Sequence, residues 1–149
     1  MLKFKNALLI VTSFLIITPS FSQGYEKLSE DKVDQNKVTL AKNFADKYFC
    51  ASRDGKTYEF KDEATEILSQ RFTPEVQKQV YQDIQGKFGD YKSLEYAETW
   101  KHSGTETFTI VRFKGIFSKS NEIPEIRIVL DQANKVAGFW YKPWIEELK

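Results

Sequence analysis

Cysteine and histidine occur once each, at Cys50 and His102. A lone cysteine excludes a disulfide framework within the chain, and one His with one Cys and no spaced cluster cannot make a zinc set. Seven Gly and four Pro are too few for a collagen-like or low-complexity chain. Charge of one sign is missing too, since 22 Lys and Arg face 21 Asp and Glu. The charges are interleaved, as in Tyr58-Glu59-Phe60-Lys61-Asp62-Glu63, so no basic face is marked out and a nucleic-acid partner is not expected. There is no Gly-x-Ser-x-Gly motif, and Gly86 and Gly89 lack the spacing, the preceding strand and the Lys of a phosphate loop. What is abundant is apolar: 41% of the 149 residues are hydrophobic and 15% aromatic, which excludes disorder and leaves room for one domain, at most two.

The first 22 residues carry an address. Lys3 and Lys5 precede an apolar run from Ala7 to Ile17, Pro19 breaks it, and the small residues Ser20 and Ser22 stand where signal peptidase reads. The run is well short of the roughly 20 residues a membrane-spanning helix needs. This is the layout of a signal peptide, with an uncleaved N-terminal anchor as the alternative. The absence of a Cys at the cleavage point excludes a lipoprotein. Cleavage after Ser22 takes 22 residues from 149, leaving 127, and removes Lys3 and Lys5, which moves the formal charge from +1 to −1. The expected location is periplasmic or extracellular, with no membrane contact after cleavage. In that oxidising setting Cys50 has no partner in its own chain and reads as a small buried apolar group, with an intermolecular bridge or reactive thiol as the alternative.

Residues 23–32 read as a flexible lead-in to a single domain over 33–149. The spacing of Val38, Ala41, Phe44, Ala45, Tyr48 and Phe49 predicts an amphipathic helix from about Asp34 to Ser52, closed by Asp54-Gly55. A second, short helix is expected from an Asp62 cap, with Ala64, Ile67, Leu68 and Phe72 on one face. Thr73-Pro74-Glu75 starts a third, with a stripe of Val76, Val80, Tyr81 and Ile84 that ends near Phe88 at Gly89. Beyond Tyr91 the period changes to two. Strands are expected over Leu94 to Trp100, Thr107 to Phe117, Ile126 to Leu130 and Val136 to Tyr141, with His102 in the first turn. Short connections make them an antiparallel meander.

Helices first and strands second is the pattern of an α+β domain, here three N-terminal helices packed on one face of a four-stranded antiparallel sheet. That order, the segment from Gly86-Lys87-Phe88-Gly89 to Leu94, and the ending from Leu130-Asp131-Gln132-Ala133-Asn134 to Phe139 carry a resemblance over roughly Val33 to Trp144. The sequence resembles the nuclear transport factor 2-like superfamily, or cystatin-like cone, and within it small exported bacterial domains of unknown function. The resemblance implies a sheet curved into a cone and a pocket beneath the helices. It also implies frequent sheet-to-sheet homodimers, and in the isomerase and cyclase members an acid and base inside the cone.

On the long strand, the side with Val111, Phe113 and Phe117 is expected to face inward, because its alternate carries Arg112 and Lys114. In register with Tyr96 and Trp100, Glu98 is the one candidate catalytic carboxylate; the plainer reading is a solvated charge at a strand edge. His102 lacks an acidic neighbour to orient it and reads as an exposed turn residue. Most aromatics belong to a core, but Tyr48, Phe88, Trp100, Phe113 and Tyr141 are candidates to line an apolar ligand pocket. Phe139-Trp140-Tyr141 is aromatic on both faces of one strand, so the outer face is expected to pack on something, with Phe108, Ile110, Trp140 and Trp144 as a homodimer contact. Alternatively, Trp140 or Trp144 folds back to seal the cone's mouth.

No positioned pair of titratable groups is visible, so the chain reads as a non-catalytic exported domain without cofactor or metal. It is expected to bind a small apolar or peptide-like ligand, or to act as a dimeric interaction module. An isomerase- or cyclase-type enzyme using Glu98 or a tyrosine, and an envelope protein that regulates another protein without any ligand, are the alternatives.

Overall fold

The computed structural model describes residues 24–119, 121–146 and 148. The expected signal segment lies outside the described residues. Helix α1, Gln35–Arg53, is capped by Asp34, whose carboxylate accepts the Asn36 N–H at 2.9 Å. It buries the stripe that its spacing predicts, Val38 through Phe49. Helix α2, Glu66–Arg71, starts later than expected. Its cap is Thr65, whose hydroxyl accepts the Leu68 N–H at 3.2 Å. Asp62 does not serve because the next residues are tied to the sheet: Thr65 N–H donates to the Val136 carbonyl, and Val136 N–H donates to that of Glu63.

Helix α3, Pro74–Phe88, begins at Thr73 as its cap and ends at Gly89, which takes φ 83°. Its buried face is rotated from the expected stripe, with Gln77, Tyr81, Ile84 and Phe88 inside and Val76 exposed. A buried glutamine is tolerated because its amide is fully used. It accepts from Tyr58 N–H at 3.1 Å and donates to the carbonyls of Tyr58 and Phe72 at 3.1 and 3.2 Å. None of the helices among the described residues is long and apolar enough to cross a membrane.

The sheet is antiparallel with five strands in chain order: β1 Tyr25–Lys27, β2 Tyr91–Ser103, β3 Thr107–Phe117, β4 Pro124–Leu130 and β5 Val136–Pro143. Four of these are the expected meander. The fifth corrects the expected count: inside the supposed lead-in, Tyr25–Lys27 pairs with Trp100–His102, and one turn of 3-10 helix follows at Glu30–Lys32. Three exposed residues, Tyr-Glu-Lys, carry no alternation to betray a strand, and the free edge of β2 supplies the pairing.

One face of the sheet is covered by helix. Leu94, Val111, Phe113, Phe117, Ile126, Ile128 and Leu130 meet the buried stripes of α1 and α3 in a single core. Phe49 is its pivot, stacked on Tyr91 with centroids 4.5 Å apart and against Phe117 and Phe139 at 5.6 and 5.9 Å. Phe49→Ala is expected to cost about 3 to 5 kcal/mol of unfolding free energy, from lost transfer and a cavity the neighbouring rings cannot close. Urea unfolding followed by tryptophan fluorescence measures it.

Candidate functional site

Partners across an antiparallel pair share a face, so the register sorts every strand residue. Away from the helices, besides the end pair Ser93 and Ile116, lie four rows. Tyr25, His102 and Phe108 form the first; Lys27, Trp100, Ile110, Val129 and Gly138 the second. The third holds Glu98, Arg112, Arg127 and Trp140, and the fourth Glu95, Lys114, Glu125 and Lys142. The outer face is thus apolar at one end and charged at the other.

The charged end is organised around Arg112, which is 0% exposed. Its Nε and Nη2 donate to the two carboxylate oxygens of Glu125 at 3.0 and 2.8 Å, while Nη1 donates to Glu98. Glu98 also pairs with Lys27 at 2.5 Å and accepts from the Trp100 indole at 2.8 Å; Glu125 accepts from Arg127 at 2.8 Å. The chain after β5 folds across this cluster. The Ile145 carbonyl accepts from Arg112 Nη2 at 2.5 Å, and the Trp144 ring lies over the guanidinium at 4.3 Å and over Lys114 Nζ at 4.7 Å. Burial by itself would raise both carboxyls, but the donors around each outweigh it, Lys27, Trp100 and Arg112 at Glu98 and the two arginines at Glu125. Both carboxyls therefore lie below their ordinary range and stay ionised.

Glu98 therefore does not lie beneath the helices, as a catalytic carboxylate in a pocket there would. The register slips between Tyr96 and Glu98, a β-bulge that moves the alternation by one residue, so Tyr96 opposes Phe113 on the covered face while Glu98 opposes Arg112 on the outer one. Its oxygens are committed to three donors and are not free to exchange a proton with a substrate. The same slip corrects Trp100, which lies on the outer face beside Ile110 rather than with the other expected pocket residues. Tyr48, Phe88, Phe113 and Tyr141 do belong to the covered side. Tyr48 donates its hydroxyl to the Gln77 carbonyl at 2.9 Å, and burial pushes its phenol well above the ordinary range. Its ring meets Phe72 and Phe139, each at 5.1 Å, and Phe88 meets Phe117 at 6.0 Å, so these aromatics pack on one another.

The apolar end forms a groove of about 430 Å³ walled by Tyr25, Ile67, Phe108, Ile110, Val129 and Trp140, with Glu106 and Asp131 on its rim. Phe108, Ile110 and Trp140 are thus together, as their positions on the strands predict. Trp144 is apart from them, over Arg112. Trp140 is 52% exposed and its ring lies down across Gly138, where a Cβ would come within 2.0 Å of ring carbons. Ile67, whose spacing puts it on one face with Ala64, Leu68 and Phe72, is instead 63% exposed and lines the groove. His102 corrects the turn assignment: it is the penultimate residue of β2, half-buried against Tyr25 at 4.7 Å. Cys50 is free and half-buried against the core.

No family model, curated protein or solved structure matches this chain. Its working surface is therefore read from geometry. Sequence reasoning missed the ion cluster, although Arg112-x-Lys114 and Glu125-x-Arg127 stand at matching phase on neighbouring strands, a pairing signal for one face.

Arg112→Ala strands two buried carboxylates and is expected to cost about 3 to 5 kcal/mol in urea unfolding. The pH dependence follows from the sign of the shifts. Carboxyls depressed below the ordinary 4.5 add stability that is present above that pH and is lost as the pH falls through their folded values. The urea midpoint should drop on acidification below about pH 4.5, and Glu125→Gln should flatten that drop.

Proposed function

We propose that the chain is an exported, non-catalytic interaction module that works through the outer face of its sheet, with a second copy of itself as partner. Trp140 carries the reading: a large aromatic half in solvent, laid over glycine, beside Phe108, Ile110 and Val129 on the sheet face away from α1 and α3, with Ile67 of α2 at its side. Charge supports the same pairing. Glu106 and Asp131 stand at one side of the groove and Arg127 and Lys142 toward the other. A two-fold axis between the sheets and across the strands lays groove on groove, and it sets the acidic rim of each copy toward the basic side of its mate. The finer architecture proposed is the cone of the nuclear transport factor 2-like superfamily. It is supported by element order and by the Gly86 to Leu94 and Leu130 to Phe139 segments. Export rests on the N-terminal leader.

Sedimentation equilibrium tests the pairing. A dimer is expected at micromolar concentration, and Trp140→Glu should give a monomer with unchanged circular dichroism. A wild-type monomer at about 100 µM would remove the proposal, since an interface of standard size holds well below that. The groove's volume favours a second reading, capture of a small apolar molecule there. A monomer that enhances anilinonaphthalene sulfonate fluorescence, with the enhancement lost in Trp140→Glu, would select it.

A further inference from the structure

The groove on the outer sheet face carries charge of one sign. Glu106 and Asp131 stand on its rim, and among the described residues no Lys or Arg lines it. Asp131 is unusual within the chain. Of the described carboxylates only Asp46, Glu63, Glu98, Glu125 and Asp131 are less than exposed. Asp46 meets Lys42, Glu63 meets Lys47, Glu98 meets Lys27 and Arg112, and Glu125 meets Arg112 and Arg127. Asp131 meets no cation. Its Oδ1 accepts the Lys135 backbone N–H at 2.8 Å, which holds the carboxylate in place and leaves the second oxygen to the groove's rim.

The surroundings of that carboxylate are aromatic. Thr109 pairs with Leu130, so the next residues along the two chains, Phe108 and Asp131, stand side by side. The His102 ring lies 6.3 Å from that of Phe108 and 4.7 Å from that of Tyr25, which sets three rings in a row across this end of the sheet. Ile110 and Val129 continue the surface as an aliphatic floor, and Trp140 closes its far side. A neutral apolar molecule seated on that floor would take water from Asp131 and give nothing in return, and an anion would be repelled. A cation meets both the carboxylates and the faces of the rings.

We infer that this groove binds a small amphiphilic amine, its ammonium held by Asp131 and Glu106 among the rings of Tyr25 and Phe108, its apolar body over Ile110 and Val129 against Trp140. The volume, about 430 Å³, is that of a small-molecule site. This rests on the outer face being the working surface and gives the ligand class of its small-molecule reading. The same acidic rim is set to meet the cations of a second copy, so amine and mate exclude one another.

Titration of the ¹⁵N-labelled full chain at low salt tests this with three amphiphiles of one chain length, each kept below its micellar concentration: octyltrimethylammonium, octyl glucoside and octyl sulfate. Tetramethylammonium, the head alone, is the control. The expected result is saturable amide shifts at residues 102–110 and 129–140, with the ammonium bound about tenfold tighter than the glucoside and the sulfate weakest. Glu106→Gln with Asp131→Asn should erase that tenfold preference and leave the urea midpoint unchanged, because Glu106 is exposed and the Asn oxygen still accepts the Lys135 N–H. Glucoside binding as tight as the ammonium, or a preference that survives in the double variant, overturns the role of the rim. Tetramethylammonium binding as tight as the full amphiphile would mean an adventitious ion only. The absence of saturable shifts with octyltrimethylammonium overturns the site. Sedimentation equilibrium in the same buffers separates site from pairing: the amine should dissociate the dimer. A chain that is monomeric throughout yet binds the amine keeps the site and loses the pairing, whereas a dimer that the amine neither shifts nor dissociates keeps the pairing and loses the site.

Discussion

A guanidinium buried completely in a sheet face is the constraint around which this molecule is arranged. Left alone, the charge of Arg112 would be prohibitively costly to desolvate, so every donor direction must be met. Glu125 supplies a bidentate partner from β4, Glu98 supplies another from β2, and the Ile145 carbonyl takes the remaining valence of Nη2. Each of these needs something further. Glu98 reaches Arg112 only because the bulge beside Tyr96 shifts the strand by one residue, and Ile145 is present only because the chain after Pro143 turns back over the sheet. The Trp144 ring then keeps water from the cluster.

The demand made by Arg112 divides the outer face into two chemistries. Where the cluster and its Trp144 cover lie, the face is sealed by the protein's own chain. Beyond it, toward Phe108 and Val129, Ile110 is buried while Trp140 and Ile67 stand in solvent. A sheet that buries one side under helices ordinarily places polar groups on the other. This one places aromatic and branched residues there, which is why the open end reads as a contact surface.

Much of this was legible residue by residue. The α1 stripe, the Thr73-Pro74 start of α3, its Gly89 stop and four strands follow from 3.6- and 2-residue periods and from cap chemistry, which are properties of adjacent residues. The inward side of β3 was equally plain, because Val111 and Phe113 alternate with Arg112 and Lys114. Errors arose where a distant partner decided. Glu98 and Trp100 were assigned by counting in twos through a bulge that a single sequence does not mark. Asp62 has the chemistry of a cap, but Glu63 and Thr65 are drawn to Val136.

The amino-acid sequence by itself determined the class of the domain, the order of its elements and the surplus of aromatics too large for a core alone. These depend on local conformational preference and on composition. Only the tertiary structure decided that Tyr25–Lys27 is a strand, that Trp144 covers Arg112 while Trp140 is left in solvent, and that the Tyr81 hydroxyl has no partner. Those outcomes depend on which groups meet across long separations. Whether a polar atom is satisfied, or an apolar ring covered, is a property of the neighbours that folding brings to it.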